Sequence, residues 1–80
     1  MAAVLDRRSL VRWLLTHGFS ELPNGSSSHR HFAGPGGVKI TIKGHGRQDV
    51  SRAVRGNIIK QLTDAGWDRE QLRRELGGAS

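Results

Sequence analysis

Apolar residues follow two rhythms along the chain. Between Asp6 and His17, the positions Leu10, Trp13, Leu14 and His17 recur at i, i+3, i+4 and i+7, which is one face of an α-helix. Asp6 stands where an N-cap belongs, and Gly18 supplies the left-handed residue that ends such a helix and lets Phe19 fold back onto it. From Val38 to Lys43 the period drops to two. Val38, Ile40 and Ile42 alternate with Lys39, Thr41 and Lys43, the pattern of a strand with one buried and one wet face.

His29 to Phe32 alternates in the same way, with Arg30 and Phe32 on one side and His29 and His31 on the other. Between these two strands, Gly34-Pro35-Gly36-Gly37 has proline and glycine at the second and third places that a type II turn requires, so the pair is predicted to form a hairpin. A shorter extended piece, Phe19 to Pro23, comes before it, joined by the polar loop Asn24 to Ser28. If Phe32 lies with Val38, Ile40 and Ile42 on the covered face, then His29, His31, Lys39, Thr41 and Lys43 gather on the open one.

After the loop Gly44-His45-Gly46 the helical rhythm returns. Asp49 or Ser51 caps a second helix that carries Val50, Val54, Ile58, Ile59, Leu62 and Ala65 toward the sheet, and Gly66 closes it. Gly56 inside this helix costs about 1 kcal/mol relative to alanine, which suggests a close helix-to-sheet contact. Asp68-Arg69-Glu70-Gln71 has the form of a capping box for a short third helix, with Leu72 and Leu76 inward beside Trp67. The expected fold is α+β: α-β-β-β-α with a short extra C-terminal helix, the helices on one face of a three-stranded antiparallel sheet.

Composition narrows the function. Eighty residues are read as a single domain, 1–80, with a core so small that each helix face must contribute. There is no cysteine, which excludes disulfides and thiolate zinc sites, and no apolar run resembles a signal or membrane segment. A soluble, unexported, cytoplasmic protein is expected. The net charge is +6, and its location is informative: from Leu22 to Thr63, Arg30, Lys39, Lys43, Arg47, Arg52, Arg55 and Lys60 face only one acid, Asp49. Clustered cations of this kind suit a polyanion, because binding releases counterions from a phosphate backbone; a basic surface that merely aids solubility is the plainer alternative.

The order helix, three-stranded meander, helix is that of the double-stranded-RNA-binding fold. Within it, His17-Gly18-Phe19, the Gly-Ser run ending in His29-Arg30-His31-Phe32, the Pro-Gly hairpin, Gly44-His45-Gly46, Val54-Arg55-Gly56-Asn57-Ile58-Ile59-Lys60-Gln61 and Ala65-Gly66-Trp67-Asp68 together resemble the HicA (YcfA-like) toxin family, in order, from about Leu10 to Leu76. That resemblance implies a small mRNA-cleaving endoribonuclease of a bacterial toxin–antitoxin pair, held in check by a HicB-like antitoxin. It also implies one catalytic histidine at the start of the second strand, which is His29 in this chain. The family's glycine and serine stand directly or almost directly before that histidine, whereas here Gly25-Ser26 is followed by Ser27 and Ser28. The loop thus carries one or two extra residues, and His31 stays open as the alternative.

RNA supplies its own nucleophile, the 2′-hydroxyl, so a nuclease on this sheet needs only to move protons and stabilise charge. Histidine suits the first task and Lys39, Lys43 and Arg47 the second, with His31 and Thr41 as further RNA contacts. No metal and no small-molecule cofactor is expected. Three other readings compete: His29-x-His31 as half of a metal site, which has neither cysteine nor acid within the motif; a non-catalytic RNA-binding module; and a basic sheet face that holds an acidic protein.

Overall fold

The computed structural model describes residues 5–26, 28–44 and 49–76. Helix α1 spans Arg7–Thr16, and the Asp6 carboxylate caps it by accepting from the Ser9 N–H at 2.7 Å. It ends as its sequence indicates. Gly18 takes φ +90°, and the Phe19 N–H returns to Leu14 O at 2.9 Å. Phe19 is thereby turned into the core.

Three antiparallel strands follow in sheet order: β1 (Ser20–Glu21), β2 (His29–Ala33) and β3 (Lys39–Lys43). The hairpin register pairs His29 with Lys43, His31 with Thr41, Phe32 with Ile40 and Ala33 with Lys39. At its tip Gly36 has φ 75° and ψ 11°, the third-position geometry of a type II turn, and the Gly37 N–H reaches Gly34 O at 3.3 Å. Gly34 itself lies against the Phe19 ring, where a side chain would collide. The turn is therefore locked to the end of α1.

Helix α2 runs from Arg52–Asp64 and α3 from Arg69–Leu76. Ser51, not Asp49, caps α2, accepting from the Val54 N–H at 3.1 Å; Asp49 instead forms a backbone bridge with Asp6. The helices cover one sheet face. Between them and the sheet, Leu10, Leu14, Phe32, Ile40, Leu62 and Leu72 are fully buried, each contributing on the order of 1.5–3 kcal/mol of transfer free energy.

Three expectations for the C-terminal half are corrected. Gly56 makes no close approach to the sheet, since a Cβ there would meet nothing within 4 Å and the residue is exposed. Of the apolar residues assigned inward on α2, Ile58 and Leu62 are buried, whereas Val54 is 37% exposed and Ala65 is also exposed. The capping box is only half formed: Asp68 accepts from the Glu70 N–H at 3.2 Å, but Gln71 reaches forward to Glu75 at 3.1 Å. In an exposed first turn, the pairing one helical turn ahead has displaced the backward one.

The α1–α3 seam is aromatic. His17 stacks on Trp13 with ring centroids 4.0 Å apart, and Trp67 tilts against both. Glu75 accepts from the Trp13 indole N–H at 2.7 Å and lies 3.5 Å from His17 Nε2. Those hydrogen bonds, the indole's first and the Gln71 amide's second, hold the Glu75 carboxyl below its ordinary value. His17 Nδ1 donates to Trp13 O at 2.7 Å, so this histidine serves the end of its own helix and belongs to the seam.

Candidate active site on the open sheet face

The sheet face away from the helices carries His29, His31, Lys39, Thr41 and Lys43, as alternation predicts. The hydrogen-bond pattern adds a detail that alternation alone does not give. The Leu22 N–H donates to His31 O at 2.8 Å and the Ser26 N–H donates to His29 O at 2.8 Å, so residues 29 and 31 turn their backbone groups away from β3. The pairs His29/Lys43, His31/Thr41 and Ala33/Lys39 are consequently the non-hydrogen-bonded pairs of the ladder, whose Cα atoms approach to about 4.5 Å and whose side chains lie closest. His31 and Thr41 realise that closeness directly, with Nδ1 and Oγ1 2.9 Å apart.

His29 is held from its N-terminal side. Its N–H faces both the carbonyl and the hydroxyl of Ser26, at 3.3 and 3.2 Å, and its Nδ1 is 3.3 Å from the Ser28 hydroxyl. Ser28 O in turn accepts from the Gly44 N–H at 2.9 Å, which extends the β2–β3 ladder one residue beyond His29. The serine-rich loop is thus closed onto the strand. Gly25 shows how tightly: a Cβ there would lie 2.7 Å from His29 O and 3.4 Å from both Arg30 Cα and the His31 ring. No described residue bonds His29 Nε2, so that nitrogen is presented to solvent and to anything lying on the sheet.

Lys39 and Lys43, exposed on β3, flank the histidines. Four residues of strand set their backbones ~14 Å apart, far enough to hold different phosphates. Arg30 is removed from this surface. It lies on the covered side, 5.5 Å from the Phe32 ring centroid, and grips Glu21 with two hydrogen bonds of 2.7 and 2.6 Å. The Arg30 guanidinium holds the Glu21 carboxyl below its ordinary range. Arg47 lies outside the described residues. Among the described residues no three His, Asp or Glu side chains converge as metal ligands would.

Sequence reasoning overlooked the serines as individual participants. Their signal was present, a polar run ending one residue before an alternating strand, but nothing in it distinguished Ser26 and Ser28 from loop filler.

A family model for the HicA toxin of bacterial toxin–antitoxin systems matches residues 7–69. The chain belongs to the HicA toxin family. The HicA match opens on the first residue of α1 and closes on the first residue of α3, so it contains the whole sheet, α2 and the face bearing the two histidines. Membership in the HicA family makes this a toxin-type chain, for which an antitoxin is the implied partner. No curated protein and no solved structure matches it. No helix among the described residues is long and apolar enough to cross a membrane.

Proposed function

We propose that this HicA-family chain, acting as one domain in the cytoplasm, is a metal-independent endoribonuclease that cleaves mRNA, with His29 as its catalytic group and a HicB-like protein as its antitoxin. The observation that carries the reading is the cross-strand pair His29/Lys43, in which an exposed histidine whose Nε2 bonds no described residue stands at the start of β2 opposite an exposed lysine. A phosphodiester laid along β3 brings its 2′-hydroxyl, phosphorus and leaving 5′-oxygen within reach of one imidazole. Either proton transfer, from the 2′-hydroxyl or to the 5′-oxygen, is typically worth ~10²–10⁴ in rate. Lys43 offsets the charge that builds on the phosphoryl oxygens, and Lys39 holds a neighbouring phosphate.

His31 and Thr41 form a hydrogen-bonded pair next to this centre and act as RNA contacts, and Arg47 is assigned the same role from its charge. The Ser28 hydroxyl supports the reading by fixing the His29 ring through Nδ1, which leaves Nε2 as the working nitrogen. RNA carrying a single 2′-deoxy substitution at the scissile position tests the chemistry. It is expected to bind and resist cleavage; cleavage at the rate of the all-ribose strand rules out 2′-hydroxyl attack, and failure of the all-ribose strand to be cut leaves an RNA-binding module.

A further inference from the structure

The antitoxin half of that proposal leaves open how a second protein grips so small a chain, and the outer edge of β3 supplies an answer. Because Val38 O and the Gly44 N–H bond inward to Gly34 and Ser28, the alternate residues Lys39, Thr41 and Lys43 direct their N–H and C=O groups away from β2. Among the described residues no strand pairs with that edge. Lys39 O is met by the Gln61 side-chain amide at 3.3 Å, and no described residue bonds the others. The opposite edge of the sheet is a poor template, because β1 is two residues long and Pro23 follows shortly after it. β3 offers five residues in unbroken register, without proline.

Such an edge invites pairing unless charge prevents it. Two copies of β3 laid antiparallel about Thr41 would set Lys39 of one against Lys43 of the other, a like-charge arrangement that opposes self-association. The same lysines favour a strand with acidic side chains at every second position. At the intervening positions its side chains would enter the cavity between β3 and α2, about 410 Å³, where Ile42, Val50, Val54 and Ile58 share the lining with Ser51, Asn57 and Gln61. The 37% exposure of Val54 is then the exposure of a groove wall. We propose that β3 receives an extended segment of the antitoxin as a fourth strand, acidic toward Lys39 and Lys43 and carrying small side chains toward α2.

The inference rests on the toxin–antitoxin reading and specifies its contact. Main-chain hydrogen bonds supply affinity and the alternating side chains specificity, as in other strand additions. A fourth strand lies two strand spacings, about 10 Å, from β2, so its acidic side chains cover the lysines and close the path of RNA to His29.

Amide hydrogen exchange, followed by NMR on the free chain and on its complex with the antitoxin, tests this. In the free chain the Lys39, Thr41 and Lys43 amides are expected to exchange roughly 100-fold faster than those of Ile40 and Ile42, and in the complex to slow by a similar factor. A chemically synthesised chain with the Thr41 amide replaced by an ester removes one outward donor, keeps every inward donor and only weakens the Ile40 carbonyl as an inward acceptor, so its circular dichroism and melting temperature are recorded beside its binding. It should bind the antitoxin roughly 3–10-fold more weakly than the all-amide synthetic chain. A complex that forms without protecting these three amides overturns strand addition and leaves the antitoxin pairing intact. Absence of any complex overturns both.

Discussion

Replacing Gly25 with alanine tests whether the serine loop positions the histidines. The added Cβ would meet His29 O at 2.7 Å, about 0.7 Å inside the 3.4 Å at which ordinary contact begins, and it would also touch the His31 ring edge. Neither neighbour can rotate away. The carbonyl belongs to a backbone that also accepts from the Ser26 N–H, and the ring is tied to Thr41. Either the loop or the start of β2 must therefore move by several tenths of an ångström, at a cost of about 1–3 kcal/mol. For a domain of this size each kcal/mol lowers the melting temperature by about 4–8 °C. Thermal unfolding followed by circular dichroism reads the stability, and the His29 and His31 ring signals in a ¹H–¹³C NMR spectrum read the displacement. Under the proposed chemistry the same shift lowers RNA cleavage by ~10-fold or more, because misplacement by an ångström can cost about 10²-fold. An alanine variant with unchanged melting temperature and unmoved histidine signals would refute the reasoning.

Gly56→Ala should do the opposite. The position is an exposed helix interior where a Cβ meets nothing within 4 Å, so a gain of roughly 0.5–1 kcal/mol is expected in denaturant unfolding. Glu75, held below its ordinary 4.5 by the Trp13 indole, contributes stability that is complete above that pH and is lost as the pH falls through its lowered folded value. Glu75→Gln should accordingly flatten the acid limb of the stability–pH profile, and an unaltered limb would show that the seam is pH-indifferent. Lys39→Ala and Lys43→Ala should each weaken binding to all RNA sequences alike and reduce the salt slope by about 0.7–0.9, measured by titration at several salt concentrations. A slope unmoved by either would direct attention to Arg52, Arg55 and Lys60 on α2.

Much of the fold was legible because the signals were local. The cap at Asp6, the stop at Gly18 and the period of two from Val38 to Lys43 each depend on neighbouring residues, and each is found where its pattern lies. The open-face set followed from alternation once Phe32 and Ile40 were assigned to the core. Gly56, Val54 and Arg30 were misjudged for a common reason: their roles depend on which element sits opposite, information that periodicity does not contain. Arg30 counted as a free cation until Glu21, nine positions earlier, proved to be its partner. The hold on His29 was invisible for the same reason, since Ser26 and Ser28 act through the path of a loop whose composition says only that it turns.

The most direct test of the catalytic assignment is the single-turnover cleavage rate of RNA by His29→Ala, with RNA affinity and melting temperature measured on the same preparation and His31→Ala alongside. His29 is exposed and contributes nothing to the core, so the variant should melt within a few degrees of the parent chain. It should bind RNA and cleave it ~10²-fold more slowly or worse, with His31→Ala losing less. Cleavage by His29→Ala at the parental rate would contradict the account, and loss of cleavage in His31→Ala alone would move the catalytic role two residues along the strand.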